Sequence, residues 1–166
     1  MVILGIDPGL AIVGWGVLES EKGRVRPIAY GAITTPAKTD VESRLLTIQN
    51  DLEQIINKYS PDEMAIEELF FNTNTTTGIA VAEASGVILC TAHRLGVKIS
   101  EYTPLQVKQA VVGYGKAEKK QVIAMVTSIL NLPKPPKPDD TADAIAIAIC
   151  HSQCSGSALG KYFNER

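Results

Sequence analysis

Cysteine and histidine are scarce in this chain: it has three cysteines and two histidines among 166 residues. Three cysteines make no disulfide framework, which fits a reducing cytoplasm. The run Cys150-His151-Ser152-Gln153-Cys154 resembles a zinc-binding stretch, but no second paired-ligand motif accompanies it. These side chains therefore read as core or surface residues. No apolar run is long enough to span a bilayer, so no membrane partner is expected. The N-terminus opens directly onto a strand-like run, without the basic region and cleavage site of a signal peptide. Positive charge is not in excess either: 16 Lys and Arg against 18 Asp and Glu give a net charge of −2. That balance excludes a uniformly basic nucleic-acid binder but hides how the charges are distributed.

What is present is an ordinary globular composition, 45% hydrophobic and 20% charged. The length suits one domain over residues 1–166 with a sizeable core. Periodicity predicts strands over Val2–Asp7, Ile12–Leu18 and Val25–Thr34, joined as an antiparallel meander, with Pro27 marking an edge position or a bulge. Thr39-Asp40-Val41-Glu42 reads as a capping box ahead of a helix whose apolar face is Leu45, Ile48, Leu52, Ile55, Ile56 and Tyr59. Further strands are expected over Glu63–Leu69 and Val97–Tyr102. A helix rich in small residues is expected over Ile79–Leu95, and others after Thr103-Pro104 and over Ala117–Leu130. Leu132 to Pro138 holds four prolines and cannot be regular. Ala144 to Ile149 alternates like a strand, yet its alanines and the acids before it favour a helix capped by Asp140. The order β-β-β-α-β-α-β-α-α-α defines an α/β protein with a mixed five-stranded sheet flanked by helices.

Four carboxylates stand at the ends of apolar elements, where acid is costly to place. Asp7 closes the first strand, Glu67 follows Met64-Ala65-Ile66, and Asp140 and Asp143 open the last helix. Such groups must be hydrogen-bonded, paired or bound to a cation. Their convergence would favour a hard, oxygen-seeking ion such as Mg²⁺, and hence phosphate chemistry. Asp140 and Asp143, spaced i and i+3, share one face of a helix start. A pair of ions about 3.5–4 Å apart would activate water on one side of a phosphodiester and stabilise the leaving oxygen on the other. Asp7, on a central strand, is the candidate bridge between them. Each acid alone has a plainer reading. Asp140 is a cap, Asp143 a first-turn acid, Asp7 a turn residue before Pro8-Gly9. Glu67 and Glu68 are adjacent and point to opposite faces of a strand, and strand logic does not choose between them. Six lysines (Lys108, Lys116, Lys119, Lys120, Lys134 and Lys137) share a stretch whose only acid before Asp139 is Glu118. That patch is a solvated face or a seat for a phosphate backbone.

The sequence resembles the RuvC family of Holliday junction resolvases. The resemblance rests on Leu4-Gly5-Ile6-Asp7-Pro8-Gly9, on Ala65-Ile66-Glu67 with Phe70, on Gln106-Val107-Lys108-Gln109 through Val112-Gly113, on Ala117-Glu118-Lys119, and on Asp140-Thr141-Ala142-Asp143-Ala144. It implies an RNase H-like fold and a homodimer that nicks two strands of a four-way DNA junction symmetrically during recombination and repair. It implies Mg²⁺ as cofactor, two ions per site with Mn²⁺ as a substitute, and a branch-migration complex of RuvA and RuvB as partner. By motif position it selects Glu67 over Glu68 and Asp140 over Asp139. It makes Asp7, Glu67, Asp140, Asp143 and Lys119 catalytic, and gives Phe70, Lys108 and Lys119 to DNA, with the choice between Phe70 and Phe71 as the stacking ring left open. Lys116 and Lys120 of the basic patch are expected to meet DNA as well. The small-residue helix would be the dimer interface; close packing on the sheet explains it equally well. Three other readings compete. They are an actin-like ATPase, which needs a duplicated half, a relative acting on RNA, and a junction-binding protein without catalysis, which would not need four acids.

Overall fold

The computed structural model describes residues 1–69 and 75–155. Ten elements follow one another: β1 (Val2–Asp7), β2 (Ile12–Glu21), β3 (Arg24–Thr34), α1 (Val41–Tyr59), β4 (Glu63–Glu67), α2 (Thr75–Arg94), β5 (Lys98–Tyr102), α3 (Pro104–Val112), α4 (Lys119–Ile129) and α5 (Asp139–Ser155). The sheet order is β3-β2-β1-β4-β5. The first three strands pair antiparallel, while β4 joins β1, and β5 joins β4, in parallel. The expected mixed sheet and meander are both present. Pro27 lies in edge strand β3, and the register slips where Leu18 pairs with Pro27, leaving Ile28 unpaired. A residue without an N–H is tolerated at such a place.

Several boundaries differ from the sequence reading. Asp40 alone caps α1: its carboxylate accepts from the Ser43 N–H at 2.9 Å, so the expected box with Thr39 and Glu42 does not form. The box forms instead at α3, where Gln106 N–H donates to the Thr103 hydroxyl and the Gln106 side chain accepts from Thr103 N–H at 2.8 Å. Helix α2 starts earlier than expected, at Thr75, and α4 later, at Lys119; β4 ends at Glu67. Helix α5 begins at Asp139, which places Asp140 inside the first turn rather than at the cap.

Two apolar layers cover the sheet. Leu4, Ile6, Val13, Val17, Met64 and Ile66 meet Ile48, Leu52 and Ile56 of α1 and Ala84 and Ile88 of α2. On the other face, Ile3, Leu18, Ala65 and Tyr102 meet α5, with Val107 and Val111 of α3 and Val122 and Val126 of α4 outside. The alternation of strand side chains puts Asp7 on the same face as Ile3, and Glu67 on the same face as Ala65. Both acids therefore project toward α5.

Helix α5 lies directly on the sheet, with Ala144, Ile145, Ala146, Ile147 and Ala148 fully or almost fully buried. Glycine makes this approach possible. A Cβ at Gly5 would meet the Ala144 carbonyl oxygen at 2.1 Å, and one at Gly14 would meet the Asp140 carbonyl oxygen at 1.9 Å. Polar contacts tie the helix down along its length. Thr141 Oγ1 donates to Gly31 O at 3.0 Å, and Ser152 shares a 2.9 Å hydrogen bond with Ser20. Buried His151 is held between Tyr102 Oη at 2.9 Å and Glu63 Oε2 at 2.7 Å. Cys150 is buried beside it, as the core reading expected. Because the obstacle at Gly14 is backbone rather than a movable side chain, Gly14→Ala should destabilise the protein by about 1–3 kcal/mol. Thermal or urea denaturation measures this; an unchanged midpoint would show that α5 can lift without cost.

Candidate metal and nucleic-acid site

The four acids meet at the end of the sheet where β1 and β4 finish. Asp7 and Glu67 each stand one position past the Ile6–Ile66 pair of the parallel ladder, so the two carboxylates sit side by side on the α5 face. Asp7 pairs across the sheet with Gly14. That glycine carries the Asp140 backbone, so the close approach of α5 sets Asp140 beside Asp7. One turn further on, Asp143 completes the group.

Electrostatics register the convergence. Burial pushes the Asp7 carboxyl up to about 8, aided by the negative charges of Asp143, Glu67 and Asp140 and opposed by Lys119. Burial likewise raises Glu67, with Asp143 adding to the shift and Lys108 and Lys119 opposing it. Lys119 Nζ lies 2.7 Å from Asp143 Oδ2. Partial burial pulls the Lys119 ammonium down, but its bond to Asp143 and the charges of Asp143, Asp140 and Asp7 outweigh that and hold it above the ordinary lysine range. Lys108 and Lys119 thus flank the acids from α3 and α4.

The neighbouring acids are placed differently. Asp139 pairs with Lys137 at 2.9 Å, which draws its carboxyl below the ordinary range. Glu68 lies beyond the end of β4 and donates its backbone N–H to Tyr102 O at 2.8 Å. Lys116 and Lys120 are exposed on the loop before α4 and in its first turn. Phe70 and Phe71 lie outside the described residues.

As the side chains stand, no group of three His, Cys, Asp or Glu among the described residues converges tightly enough to hold an ion. The donor set nevertheless fits a hard divalent cation. Its members are carboxylates, they face one another, and one is pushed so far that it needs a proton or a cation to stay buried. The Cys150–Cys154 run offers no such set: His151 spends both ring nitrogens on Tyr102 and Glu63.

Reading the residues alone missed two features. One is the role of Gly5 and Gly14, for which glycine inside a strand is the available signal. The other is Arg44, which shares a cavity of about 550 Å³ with Asp7 and Asp140. No local pattern in the sequence marks it.

A carboxylate cluster of this kind, on one end of a mixed five-stranded sheet beneath a helix, defines an RNase H-like nuclease. The family model described as crossover junction endodeoxyribonuclease RuvC matches residues 3–151, and the chain belongs to that family. The protein of that name from Halothermothrix orenii is 58% identical over 151 residues, 91% of this chain and 92% of that protein. The one from Syntrophomonas wolfei is 56% identical over 151 residues, 91% of this chain and 88% of that protein. The solved structure of T. thermophilus RuvC in complex with Holliday junction substrate aligns with a TM-score of 0.86 at 35% identity, over 92% of this chain and 93% of that one.

An acid whose pKa is raised by folding stabilises the fold least when ionised. Asp7 should therefore cost the metal-free protein stability as pH rises from about 4 to about 8, with no further loss above that. Glu67 acts in the same direction. In EDTA, the melting temperature of wild type should fall more steeply across this window than that of Asp7→Asn, and Mg²⁺ should raise it more at pH 8 than at pH 5. Parallel pH profiles for the two proteins would contradict the burial and crowding of Asp7.

Proposed function

We propose that this chain is a structure-selective endonuclease that resolves four-way DNA junctions, with the Asp7 cluster as its cutting centre. Asp7, Glu67, Asp140 and Asp143 would hold two Mg²⁺ ions, with Mn²⁺ able to substitute. Bound there, the ions supply an activated water and a charge clamp on the scissile phosphodiester. The chain's own residues do the positioning. Lys119 holds Asp143 before substrate arrives and is placed to pass to a phosphate oxygen. Lys108 faces Glu67 from α3, and the exposed Lys116 and Lys120 extend the basic surface along the backbone. Phe70 is proposed to stack on a base next to the cut, worth about 1–3 kcal/mol. The observation that carries this reading is the buried Asp7 carboxyl, pushed up to about 8 by its burial and then by the charges of Asp143, Glu67 and Asp140, in a chain of this family. The same crowding disfavours a purely DNA-binding role, which gains nothing from clustered negative charge.

Asp7→Asn removes one proposed metal ligand together with a negative charge facing DNA. It should abolish cutting of a labelled four-way junction in Mg²⁺ while a mobility shift shows binding retained. Cutting near the wild-type rate would remove Asp7 from the centre.

Paired nicks need two centres, and a symmetric dimer would supply them, with RuvA and RuvB as the proposed branch-migration partner. Support for the dimer comes from α2. Its outward residues Ile79, Glu83, Gly86, Cys90 and His93 recur at helical spacing and are all exposed, Ile79 by 58%. A Cβ at Gly86 would meet nothing within 4 Å, so a larger side chain there burdens the chain itself little. Gly86→Arg should convert dimers to monomers in sedimentation velocity while leaving the far-ultraviolet circular dichroism unchanged. A dimer that survives this change would move the interface elsewhere.

A further inference from the structure

The cavity beside the acids has a cation that the cutting centre does not use. We propose that Arg44 forms an anion subsite there, seating a backbone phosphate of the DNA strand next to the bond being cut. The inference rests on the junction-cutting reading above.

Arg44 lies in the first turns of α1, on the opposite flank of Asp7 from the lysines. It lines the 550 Å³ cavity together with Asp7, Leu10, Ala80, Val81 and Asp140. That volume falls within the range of sites that enclose a small ligand. The guanidinium is held rather than free to swing. Arg44 Nε donates to Thr35 Oγ1 at 2.8 Å, and the buried Thr35 hydroxyl donates in turn to Leu10 O at 2.5 Å, on the turn that follows Asp7. Its two terminal nitrogens have no hydrogen-bond or ion-pair partner among the described residues. Nor does it form an ion pair with the four acids: the cation in contact with them is Lys119, on Asp143. A fixed planar donor with unused N–H groups, walled by apolar side chains and set beside a phosphodiester-cutting centre, suits a phosphate oxygen. Strand direction would then be set by two points, the scissile phosphate at the acids and a neighbouring one at Arg44.

The competing explanation is that Arg44 is only a strut between α1 and the β1–β2 turn. Three variants separate the two. Arg44→Gln removes the charge, Arg44→Lys keeps it, and Thr35→Val removes the strut while leaving the guanidinium. Binding of a labelled four-way junction in EDTA is measured from low to moderate salt. Arg44→Gln should lower the slope of log K against log salt by about one, while Arg44→Lys and Thr35→Val keep the wild-type slope. A single methylphosphonate placed near the cut should weaken wild-type binding and have no further effect on Arg44→Gln. An unchanged slope in Arg44→Gln, or an equal drop in Thr35→Val, would overturn the subsite. The junction-cutting reading fails separately, if wild type shows no preference for the junction over duplex; the salt slopes can still be compared on that duplex.

Discussion

The whole arrangement depends on one close approach, the contact of α5 with the backbones of β1 and β2. Helices normally rest on a sheet through their side chains. Here two carbonyls of α5 come so near the strands that Gly5 and Gly14 leave no space for a Cβ. The alanines on the underside of the helix make the same accommodation from above, and Thr141, His151 and Ser152 fasten it to strands on both sides. Helix position is therefore constrained by direct backbone contact at the end that carries Asp140 and Asp143. A metal centre requires such constraint, because ligand oxygens tolerate only small displacements.

The acids are in turn a strain on the fold that rigidity makes bearable. Four carboxylates at the end of a sheet repel one another and lose hydration, and Asp7 bears most of this because it is the most enclosed. Lys119 relieves part of it through Asp143. Lys119 is a point charge on a flexible stem, whereas the fork of Arg44 is held by its bond to Thr35. The two cations thus stand on opposite sides of Asp7 with different mechanical characters.

Much of this was legible in the residues because the strands obey a simple period. The five-stranded mixed sheet, the meander, the proline-bearing edge strand and the helical nature of Ala144–Ile149 followed from alternation, turn residues and alanine content. The choice between Glu67 and Glu68 did not, since a strand read in isolation has no marked face. The parallel pairing of β4 with β1, and the position of Ala65 beneath α5, give it one. Helix starts were read within a few residues, and the errors have local causes. Asp40 caps α1 alone because its carboxylate reaches Ser43, and α5 begins one residue before Asp140. Arg44 escaped because its meaning lies in a cavity assembled from α1, α2, α5 and the turn after β1, which no short window of sequence contains.

The slipped register at Pro27 bears on how copies of this chain can meet. A strand at the rim of a sheet invites a neighbour to add to it, through its free row of N–H and C=O groups. On β3 that row is broken: Pro27 has no N–H to offer, and unpaired Ile28 twists the ladder out of line. At the other rim, β5 is only five residues long. Neither border offers a good template for continuous sheet growth, which protects a protein with so apolar an interior from fibre-like association.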